Sequence, residues 1–348
     1  ARLQQAGHDV VFIARGATLA ALQARGLVLE SIDGDLTLPS VHATDDPGTV
    51  GAVDVVLVCV KATQVASLAP SLRPLVGPAT AVIPVQNGVE ASELLAAVRD
   101  LGFTTPTTVQ LKTIPLAMRV DGGEQAYNDL MVSSQTGSGK TAAFLLPVLH
   151  TLLQQHQAQA RAQSEEWEQK VAQAQARGEE PPKRPKRKNP THPSNFKPAT
   201  PGALVLCPTR ELAQQVAQDA IELVKHTRGL RVANVVGGIP YQLQIAKLQN
   251  ANLVVATPGR LLDLQRSMQI KLDKVQFLVV DEADRMLDLG FSDDLADIND
   301  MTSQRRQTMM FSATFAPRIQ QLAMRVMHDG GSSVQKIQID NPQEKHNN

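Results

Sequence analysis

The sequence predicts an α/β protein with two domains, each a parallel β-sheet covered by helices on both faces, which is a three-layer α/β/α arrangement. Two observations predict this class. Short apolar runs such as residues 53–60 and 277–280 alternate with stretches of helical length. A glycine-rich loop at residues 134–141 stands between an apolar run and a helical stretch. A chain of 348 residues is long enough for two or three domains.

The composition argues against a membrane protein and against a disulfide-stabilised one. Hydrophobic residues make up 43% of the chain, yet no apolar run approaches the roughly 18 residues of a membrane span. The net charge is zero, with acidic residues in excess over residues 1–100 and basic residues in excess after them. Cys59 and Cys207 both stand in apolar strand-like runs, which predicts buried thiols in a reducing compartment, a cytoplasmic location and no disulfide.

Residues 1–97 are predicted to form the first domain. Its elements alternate in the manner of a doubly wound nucleotide-binding fold. The near-continuous apolar run 53–60 is typical of a parallel strand buried on both faces. The predicted strands cover residues 9–14, 53–60 and 80–85, the helices cover 17–25 and 64–75, and a hairpin covers 26–42.

Three phrases of this region carry a family resemblance: AGHDVVFIARG, DVVLVCVKATQ and IPVQNG. They resemble ketopantoate reductase (2-dehydropantoate 2-reductase), which implies a Rossmann-like NADP-binding domain. The resemblance implies that Arg15 meets the 2′-phosphate of NADPH and that Lys61 and Asn87 lie near cofactor and substrate. The family's first strand and GxGxxG loop would precede Ala1. We therefore expect a truncated domain with exposed strand edges, a vestigial NADPH site and no reductase activity.

The glycine-rich loop predicts a phosphate-binding site. It reads Ser134-Gln135-Thr136-Gly137-Ser138-Gly139-Lys140-Thr141 and lies between the apolar run 130–132 and the helical run 142–149. Backbone N–H groups of such a loop and the N-terminus of the following helix attract a polyphosphate. Lys140 can reach the β- and γ-phosphates and Thr141 can ligate Mg²⁺. A chance match in a linker is the alternative, and the flanking pattern disfavours it.

A second polar group follows the apolar strand predicted at 277–280. Asp281 stands at the carboxyl end of this strand, where it can hold Mg²⁺ together with Thr141. Glu282 is placed to orient or deprotonate an attacking water. If the tetrapeptide Asp281-Glu282-Ala283-Asp284 stood alone, a solvated start of a helix would be the favoured interpretation, but the phosphate loop elsewhere in the chain favours the catalytic one.

These two motifs belong to an ordered set whose other members are Gly102-Phe103, Pro106-Thr107, Gln110, Pro208-Thr209-Arg210-Glu211-Leu212-Ala213, Gly237-Gly238, Thr257-Pro258-Gly259-Arg260 and Ser312-Ala313-Thr314. The set resembles the first RecA-like domain of a DEAD-box RNA helicase, over residues 98–341. The resemblance implies ATP binding that includes Phe103 and Gln110, with Gln110 reading adenine, and coupling of ATP to RNA through Ser312 and Thr314. It implies sequence-independent contacts to the RNA backbone. The residues it assigns to RNA are Pro208, Thr209, Arg210, Gly238, Thr257 and Arg260. Alternatively, the two arginines are structural ion-pair partners.

Three features depart from the family pattern. The aromatic residue that stacks on adenine would fall near Glu93, where the sequence has none. The connection at residues 119–129 is long and is expected to loop out. Residues 154–200 are an insertion, helical over 154–176 and then rich in proline and basic residues at 181–190, where we expect disorder. The basic cluster is either a contributor to nonspecific RNA affinity or a solvated linker.

The leading hypothesis is the ATP- and RNA-binding core of an ATP-dependent RNA helicase, at residues 98–341. Residues 342–348 would begin a linker to a second RecA-like domain, without which we expect the core to be catalytically incomplete, because that domain supplies an arginine to the phosphate. Two alternatives remain: an NADPH-dependent 2-dehydropantoate 2-reductase, and an inactive RNA-binding fusion fragment.

Overall fold

The structure is a computed structural model of the chain. It describes residues 1–31, 34–60, 64–84, 92–103, 105–118, 127–135, 137–189, 192–327, 331 and 334–339. The chain forms two compact units, Ala1–Gly88 and Val89–Asn348. Among the described residues, no helix is both long enough and apolar enough to span a membrane.

The first unit contains short strands and helices in alternation, as predicted. Two single turns of 3₁₀ helix, Pro47–Thr49 and Arg73–Leu75, complete it. Its helices and strands are α1 (Arg2–Gln5), β1 (Val11–Ile13), α2 (Gly16–Arg25), β2 (Leu27–Leu29), β3 (Leu36–Leu38), β4 (His42–Thr44), β5 (Val53–Val58), α3 (Val65–Leu72) and β6 (Val76–Pro84).

Strands of the first unit associate in pairs. The pairs β1–β4 and β5–β6 are parallel and the predicted hairpin β2–β3 is antiparallel, and no further strand joins a pair within the described part of the chain. The prediction that residues 53–60 are buried on both faces is wrong. Val56 and Val58 are buried, whereas Val55 and Leu57 on the other face are exposed, because no described element covers that face.

The second unit carries the larger set of elements. Its helices and strands are α4 (Ser92–Asp100), α5 (Thr108–Ala117), β7 (Leu130–Ser133), α6 (Lys140–Ala176), β8 (Ala203–Leu206), α7 (Arg210–Leu223), β9 (Val232–Val235), α8 (Tyr241–Leu248), β10 (Leu253–Ala256), α9 (Pro258–Arg266), β11 (Phe277–Val280), α10 (Ala283–Asp288), α11 (Ser292–Met301), β12 (Gln307–Ser312), α12 (Pro317–Val326) and β13 (Gln335–Gln338).

A seven-stranded parallel sheet organises the second unit, in the order β13-β7-β12-β11-β8-β10-β9. One hydrophobic core packs α5, α6 and α7 against one face, and a second core packs α8 to α12 against the other. This confirms the α/β class and the three-layer parallel-sheet arrangement of the second unit. Because all strands are parallel, the loops that follow them meet at a single edge of the sheet.

Buried polar side chains fix α5 and β7 against β12. Gln307, at the start of β12, donates from Nε2 to the carbonyl oxygens of Ala117 (3.1 Å) and Asn128 (2.8 Å). The backbone N–H of Thr308 donates to Asp129 Oδ1 at 2.8 Å. Since Gln307 is buried, these bonds satisfy groups that would otherwise be costly to bury. The N-terminal half of the unit is therefore held in register with the sheet.

Helix α4 lies inside the second unit. Leu94 and Ala97 are buried, and Leu94 belongs to the core shared with α6 and α7. Asp100 Oδ2 lies 3.1 Å from Lys225 Nζ and 2.7 Å from His226 Nε2, beyond the end of α7. The compact units therefore divide at Gly88, nine residues before the predicted domain boundary at residue 97.

Helix α6 runs for 37 residues, or about 55 Å. Its side chains are largely buried from Lys140 to Leu153 and mostly exposed from Gln154 onward. The helical stretch predicted at 154–176 is thus a direct continuation of the helix that follows the phosphate loop. Residues 177–189 form neither helix nor strand. The long connection predicted at 119–129 lies outside the described residues except for its last three positions.

The two cysteines differ in burial. Cys207 is fully buried at the end of β8, whereas Cys59 is exposed, so the prediction of two buried thiols is wrong for Cys59. Cys59 follows β5, in the strand pair whose outer face is exposed. Neither cysteine forms a disulfide.

Candidate nucleotide site and RNA face

The candidate nucleotide site lies where β7, β12 and β11 end side by side. The backbone N–H of Ser134 donates to the carbonyl oxygen of Ser312 at 3.0 Å. The hydroxyl of Ser133 donates to the carbonyl oxygen of Ala313 at 3.3 Å. The phosphate loop and the segment after β12 are therefore hydrogen-bonded to each other, although they are far apart in the chain.

Two glycines shape the phosphate loop. Gly137 and Gly139 have φ angles of 80° and 84°, in the left-handed region that other residues avoid. Gly139 is the residue before the first turn of α6. Thr141, the candidate Mg²⁺ ligand, is half-buried in that turn. Of the predicted loop residues, Thr136 lies outside the described part of the chain.

Lys140 joins the phosphate loop to the end of β11. Its Nζ lies 2.9 Å from Asp281 Oδ1 and 3.4 Å from Glu282 Oε1. Asp281 is fully buried and Lys140 is 7% exposed. The three residues that sequence analysis assigned to catalysis in the two motifs are thus brought into direct contact.

Burial and charge oppose each other in this cluster. Burial alone would lower the pKa of Lys140, but the negative charges of Asp281 and Glu282 outweigh it and raise that pKa. Burial raises the pKa of Asp281, and the nearby Lys140 does not fully offset it. Burial, reinforced by Asp281, also raises the pKa of Cys207 well above its ordinary value, which keeps this thiol protonated.

A cavity of about 230 Å³ lies beside this cluster and is lined by Ser134, Lys140, Glu282, Asp284, Arg285, Ser312 and Ala313. Glu282 has a left-handed backbone (φ 50°), an uncommon and strained conformation for this residue type. Its Oε2 lies 3.7 Å from the guanidinium of Arg285. The turn between β11 and α10 therefore directs two side chains of opposite charge to the cavity.

Several buried polar atoms around the cavity have no hydrogen-bond partner within the described residues. They are Asp281 Oδ2 and the hydroxyl oxygens of Ser134, Ser138 and Ser312. Such groups are costly to bury alone and are suited to a polar ligand. The described residues contain no group of three or more His, Cys, Asp and Glu side chains that could hold a metal ion by themselves. One carboxylate with hydroxyls fits Mg²⁺, which keeps waters and is bound largely by phosphate oxygens.

Gln110 braces the phosphate loop. Its Nε2 donates to the carbonyl oxygen of Gly139 at 3.1 Å, and its Oε1 accepts from the backbone N–H of Thr107 at 2.9 Å. A Cβ on Gly139 would lie 2.7 Å from both Gln110 Nε2 and Thr107 Oγ1. The sequence analysis assigned no role to Thr107, although the Thr-x-x-Gln pattern of a capping box could have indicated one. Phe103 is exposed.

The predicted RNA residues follow β8, β9 and β10 at the same edge of the sheet. Thr209 and Thr257 precede the first turns of α7 and α9, and Pro208 is buried. Arg210 is exposed and makes no hydrogen bond or ion pair with the residues described. Its guanidinium covers Gly238, where any side chain would collide with it.

Arg260 is held by the protein. Its Nε donates to Gln244 Oε1 (2.8 Å), its Nη2 donates to the carbonyl oxygen of Ile239 (2.7 Å), and its guanidinium lies 4.4 Å from the ring centroid of Tyr241. Gln244 is buried and also donates to the carbonyl oxygen of Val236. The alternative of structural ion pairs is wrong for both predicted arginines in the described residues, which show no acidic partner within 4.0 Å. Sequence analysis did not identify Gln244 and Tyr241 as partners of Arg260, because only their position in the folded chain sets them apart from other polar and aromatic residues.

Comparison with known proteins identifies the family. Residues 107–322 match the family model described as DEAD/DEAH box helicase. The chain belongs to the DEAD/DEAH box helicase family. Residues 1–117 match the model described as ketopantoate reductase PanE/ApbA, so both predicted resemblances are confirmed, and the two matches overlap at 107–117.

Individual relatives of this chain are also named as RNA helicases. The chain is 40% identical over 251 residues to "DEAD-box ATP-dependent RNA helicase 52A" of Oryza sativa subsp. japonica, covering 70% of this chain and 36% of that protein. It is 38% identical over 238 residues to "ATP-dependent RNA helicase SrmB" of Escherichia coli K12, covering 68% of this chain and 43% of the relative. The chain therefore spans less than half the length of these relatives.

Solved structures show the same helicase fold. A DEAD box protein from Methanococcus jannaschii aligns with a TM-score of 0.52 at 30% identity, over 71% of this chain and 53% of that one. A hypothetical ATP-dependent RNA helicase from Sulfolobus tokodaii aligns with a TM-score of 0.52 at 31% identity, over 71% and 57%. The parallel sheet of the second unit is thus the RecA-like sheet of DEAD-box helicases, and the matched ketopantoate reductase region is Rossmann-like.

The remaining predicted site residues fall at different places. Ser312 is buried beside the cavity, whereas Thr314, two residues later, is exposed. Arg15 is exposed between β1 and α2 in the first unit. Lys61 and Asn87 lie outside the described residues.

Replacing Gly139 with Ala should disturb the helicase site more than the same change at Gly137. Both changes place a side chain in a left-handed backbone, at a cost of about 1–2 kcal/mol. Only at Gly139 would the methyl group collide with Gln110 and Thr107, which adds roughly 1–3 kcal/mol of overpacking. Urea unfolding of the two variants measures the difference. Equal losses would show that α5 does not brace the loop.

Replacing Lys140 with Met should destabilise the protein in a pH-dependent manner. Removing one partner of a buried pair costs about 3–5 kcal/mol. Because burial raises the native pKa of Asp281 above its ordinary 3.8, the folded state binds the proton more tightly than the unfolded state. Stability therefore falls as the pH rises through the native pKa of Asp281, and the loss is largest at neutral pH.

Urea unfolding of Lys140→Met at mildly acidic and neutral pH measures this dependence. The matched control, Lys140→Met with Asp281→Asn, carries no buried charge at this pair and should lose most of the pH dependence. A destabilisation that stays constant across this pH range in the single variant would contradict an ionised Asp281 as its cause.

Proposed function

We propose that residues 98–341 are the ATP- and RNA-binding core of an ATP-dependent RNA helicase. One observation carries the proposal: the buried contact of Lys140 with Asp281 lies beside a cavity where the hydroxyl groups of Ser134 and Ser312 have no hydrogen-bond partner among the described residues. A ligand with several anionic oxygens and a divalent cation would satisfy these atoms together. Residues 1–97 are proposed as a separate domain with a vestigial NADPH contact at Arg15.

The chain's own residues supply distinct parts of ATP binding. Loop residues Ser134 to Thr141 hold the phosphates through backbone N–H groups and Lys140. Thr141 and Asp281 would hold Mg²⁺, which neutralises charge on the phosphates when bound. Glu282, beside the cavity, orients the attacking water and accepts its proton. The strained backbone of Glu282 places its carboxylate next to Lys140 and Arg285.

Gln110 is proposed to read the adenine edge while keeping its present contacts. Its amide uses one N–H on the carbonyl oxygen of Gly139 and one lone pair of Oε1 on the N–H of Thr107. A carboxamide has a second N–H and a second lone pair, which match the donor and acceptor of a base edge. Phe103 is exposed and free to add an apolar contact.

We infer that hydrolysis by these residues alone is slow. Arg285 is the arginine that lines the cavity among the described residues, and it lies beside Glu282. An arginine that stabilises the transferring phosphate contributes about 10³–10⁵ in rate in this class of reaction. Full turnover, and the substrates and partners of the complete helicase, therefore depend on a further arginine approaching the cavity from the open side.

RNA is proposed to lie along the edge formed by the ends of β8, β9 and β10. Arg210 offers an unengaged guanidinium, and Gly238 allows close approach of a backbone. Pro208, Thr209 and Thr257 shape the helix starts on either side, and Arg260 positions the loop at Ile239. None of the six is aromatic, which favours phosphate contacts independent of sequence. Ser312 and Thr314 are proposed to couple ATP to RNA, and Ser312 accepts a hydrogen bond from the backbone N–H of Ser134 in the phosphate loop.

Binding of a fluorescent ATP analogue with Mg²⁺ tests the nucleotide site. The paired variant Lys140→Met with Asp281→Asn removes the buried charges while limiting the loss of stability, and should weaken binding by roughly tenfold or more. Lys271→Met, an exposed lysine before β11 at the opposite edge of the sheet, should bind as the unaltered chain does. Binding that survives the paired change would refute the site, and phosphate release stimulated by RNA would exclude the inactive alternative.

Fluorescence anisotropy with labelled oligouridylate at several salt concentrations tests the RNA face. Arg210→Gln should weaken binding and reduce the salt slope by about 1, because one phosphate contact is lost, with little change in stability. Arg260→Gln should also lower the free energy of unfolding by about 1–3 kcal/mol, because it leaves Gln244 and the carbonyl of Ile239 unpaired. Unchanged RNA affinity of Arg210→Gln would remove Arg210 from the interface.

A further inference from the structure

The exposed half of α6 and the segment after it form an arm that the nucleotide site does not use. The arm comprises residues 154–176 of α6 and residues 177–189, and we call its residues 181–189 the basic segment. The helix begins at Lys140 in the phosphate loop and remains continuous into the arm. The helical part of the arm is therefore a direct extension of the element that carries the phosphate-binding lysine.

Five cations are concentrated near the end of the arm: Lys183, Arg184, Lys186, Arg187 and Lys188. All five are exposed, residues 181–189 contain no acidic residue, and none of the five has an ion-pair partner within 4.0 Å in the part of the chain that the structure describes. By contrast, Lys170 on the helix is paired with Glu166 at 3.1 Å. The charge of the basic segment is therefore available to an external partner.

The backbone of the basic segment suits an extended ligand. Pro181, Pro182 and Pro185 favour an extended conformation, and the structure shows neither helix nor strand there. At about 3.1 Å per residue, positions 183–188 span about 15 Å. Cations spread over this length can follow a nucleic-acid backbone.

Arg184 and Trp167 connect the basic segment to the helix. The Arg184 guanidinium lies 5.8 Å from the centroid of the Trp167 ring, within the range of a cation–π contact. Trp167 is half-buried beneath it. An aromatic ring next to a row of cations is the combination with which proteins bind single-stranded nucleic acid, through stacking and backbone charge.

We propose that the basic segment and Trp167 form a second binding site for single-stranded RNA, separate from the edge that contains Arg210. The site takes the phosphate backbone on its cations and a base on Trp167. Only the choice of RNA as ligand rests on the proposed function. A membrane is a poorer partner, because Trp167 and Val171 are the only large apolar side chains in residues 154–176.

The single tryptophan of the chain makes the site directly observable. Since the sequence contains one Trp, a change of tryptophan emission on adding oligouridylate reports on Trp167 alone. The full chain is compared with two variants of equal charge change: Lys186→Gln, Arg187→Gln, Lys188→Gln in the basic segment, and Arg161→Gln, Lys170→Gln, Arg177→Gln elsewhere on the arm. Neither variant alters a residue of the nucleotide site.

For the unaltered chain we expect a change in Trp167 emission on RNA binding. For the basic-segment variant only, we expect an RNA affinity reduced roughly tenfold at low salt. The slope of log affinity against log salt concentration should also be smaller by about 2 for that variant. The proposal is overturned if RNA leaves the emission unchanged, if both variants lose affinity equally, or if polyglutamate changes the emission as strongly as RNA, which would indicate a general polyanion site. Failure of the nucleotide site appears instead in ATP binding, which neither variant should affect.

Discussion

The buried contact between Lys140 and Asp281 is the interaction on which the helicase unit depends. It joins loops that follow β7 and β11, two strands separated in the sheet by β12. Asp281 is wholly removed from water, so its charge is tolerable only beside a cation. Lys140 Nζ lies 2.9 Å from one carboxylate oxygen, and the other has no hydrogen-bond partner among the residues that the structure describes. The same pair therefore fixes the phosphate loop and leaves the site ready for a polar, charged ligand.

The arginines of this unit divide into those that shape the protein and those that remain available to RNA. Arg260 is committed to Gln244, Ile239 and Tyr241, so its role is to position the loop after β9. Arg210 lies over Gly238, and its side chain has no polar partner in the described part of the chain. The basic segment adds cations at the end of α6, far along the helix from Lys140. Charge that is free of protein partners thus lies at two separate places on the unit.

The first unit illustrates how strongly burial depends on neighbouring strands. An apolar run such as Val53–Val58 is suited to the middle of a parallel sheet, yet half of its side chains are exposed in a two-stranded pair. Helix α4 contains the predicted domain boundary at residue 97, yet it belongs to the second unit, and its Leu94 is buried in the core of that unit. Local pattern predicts that such elements form, but their burial is decided by the elements that pack on them.

The sequence by itself determined the family, the α/β class, the strand and helix on either side of the phosphate loop, and the strand that ends at Asp281. It could do so because loop, lysine and acidic pair are local motifs with fixed chemistry. It did not determine which polar atoms already have hydrogen-bond partners within the protein. Examples are the contacts of Gln110 with Gly139, of Gln244 with Arg260 and of Trp167 with Arg184, each of which joins residues that are not neighbours in the chain. The exposure of Cys59 was likewise not determined by the sequence. Such contacts are set by the packing of whole elements, because a side chain's partner is chosen by geometry in space and leaves no periodic signal in the sequence.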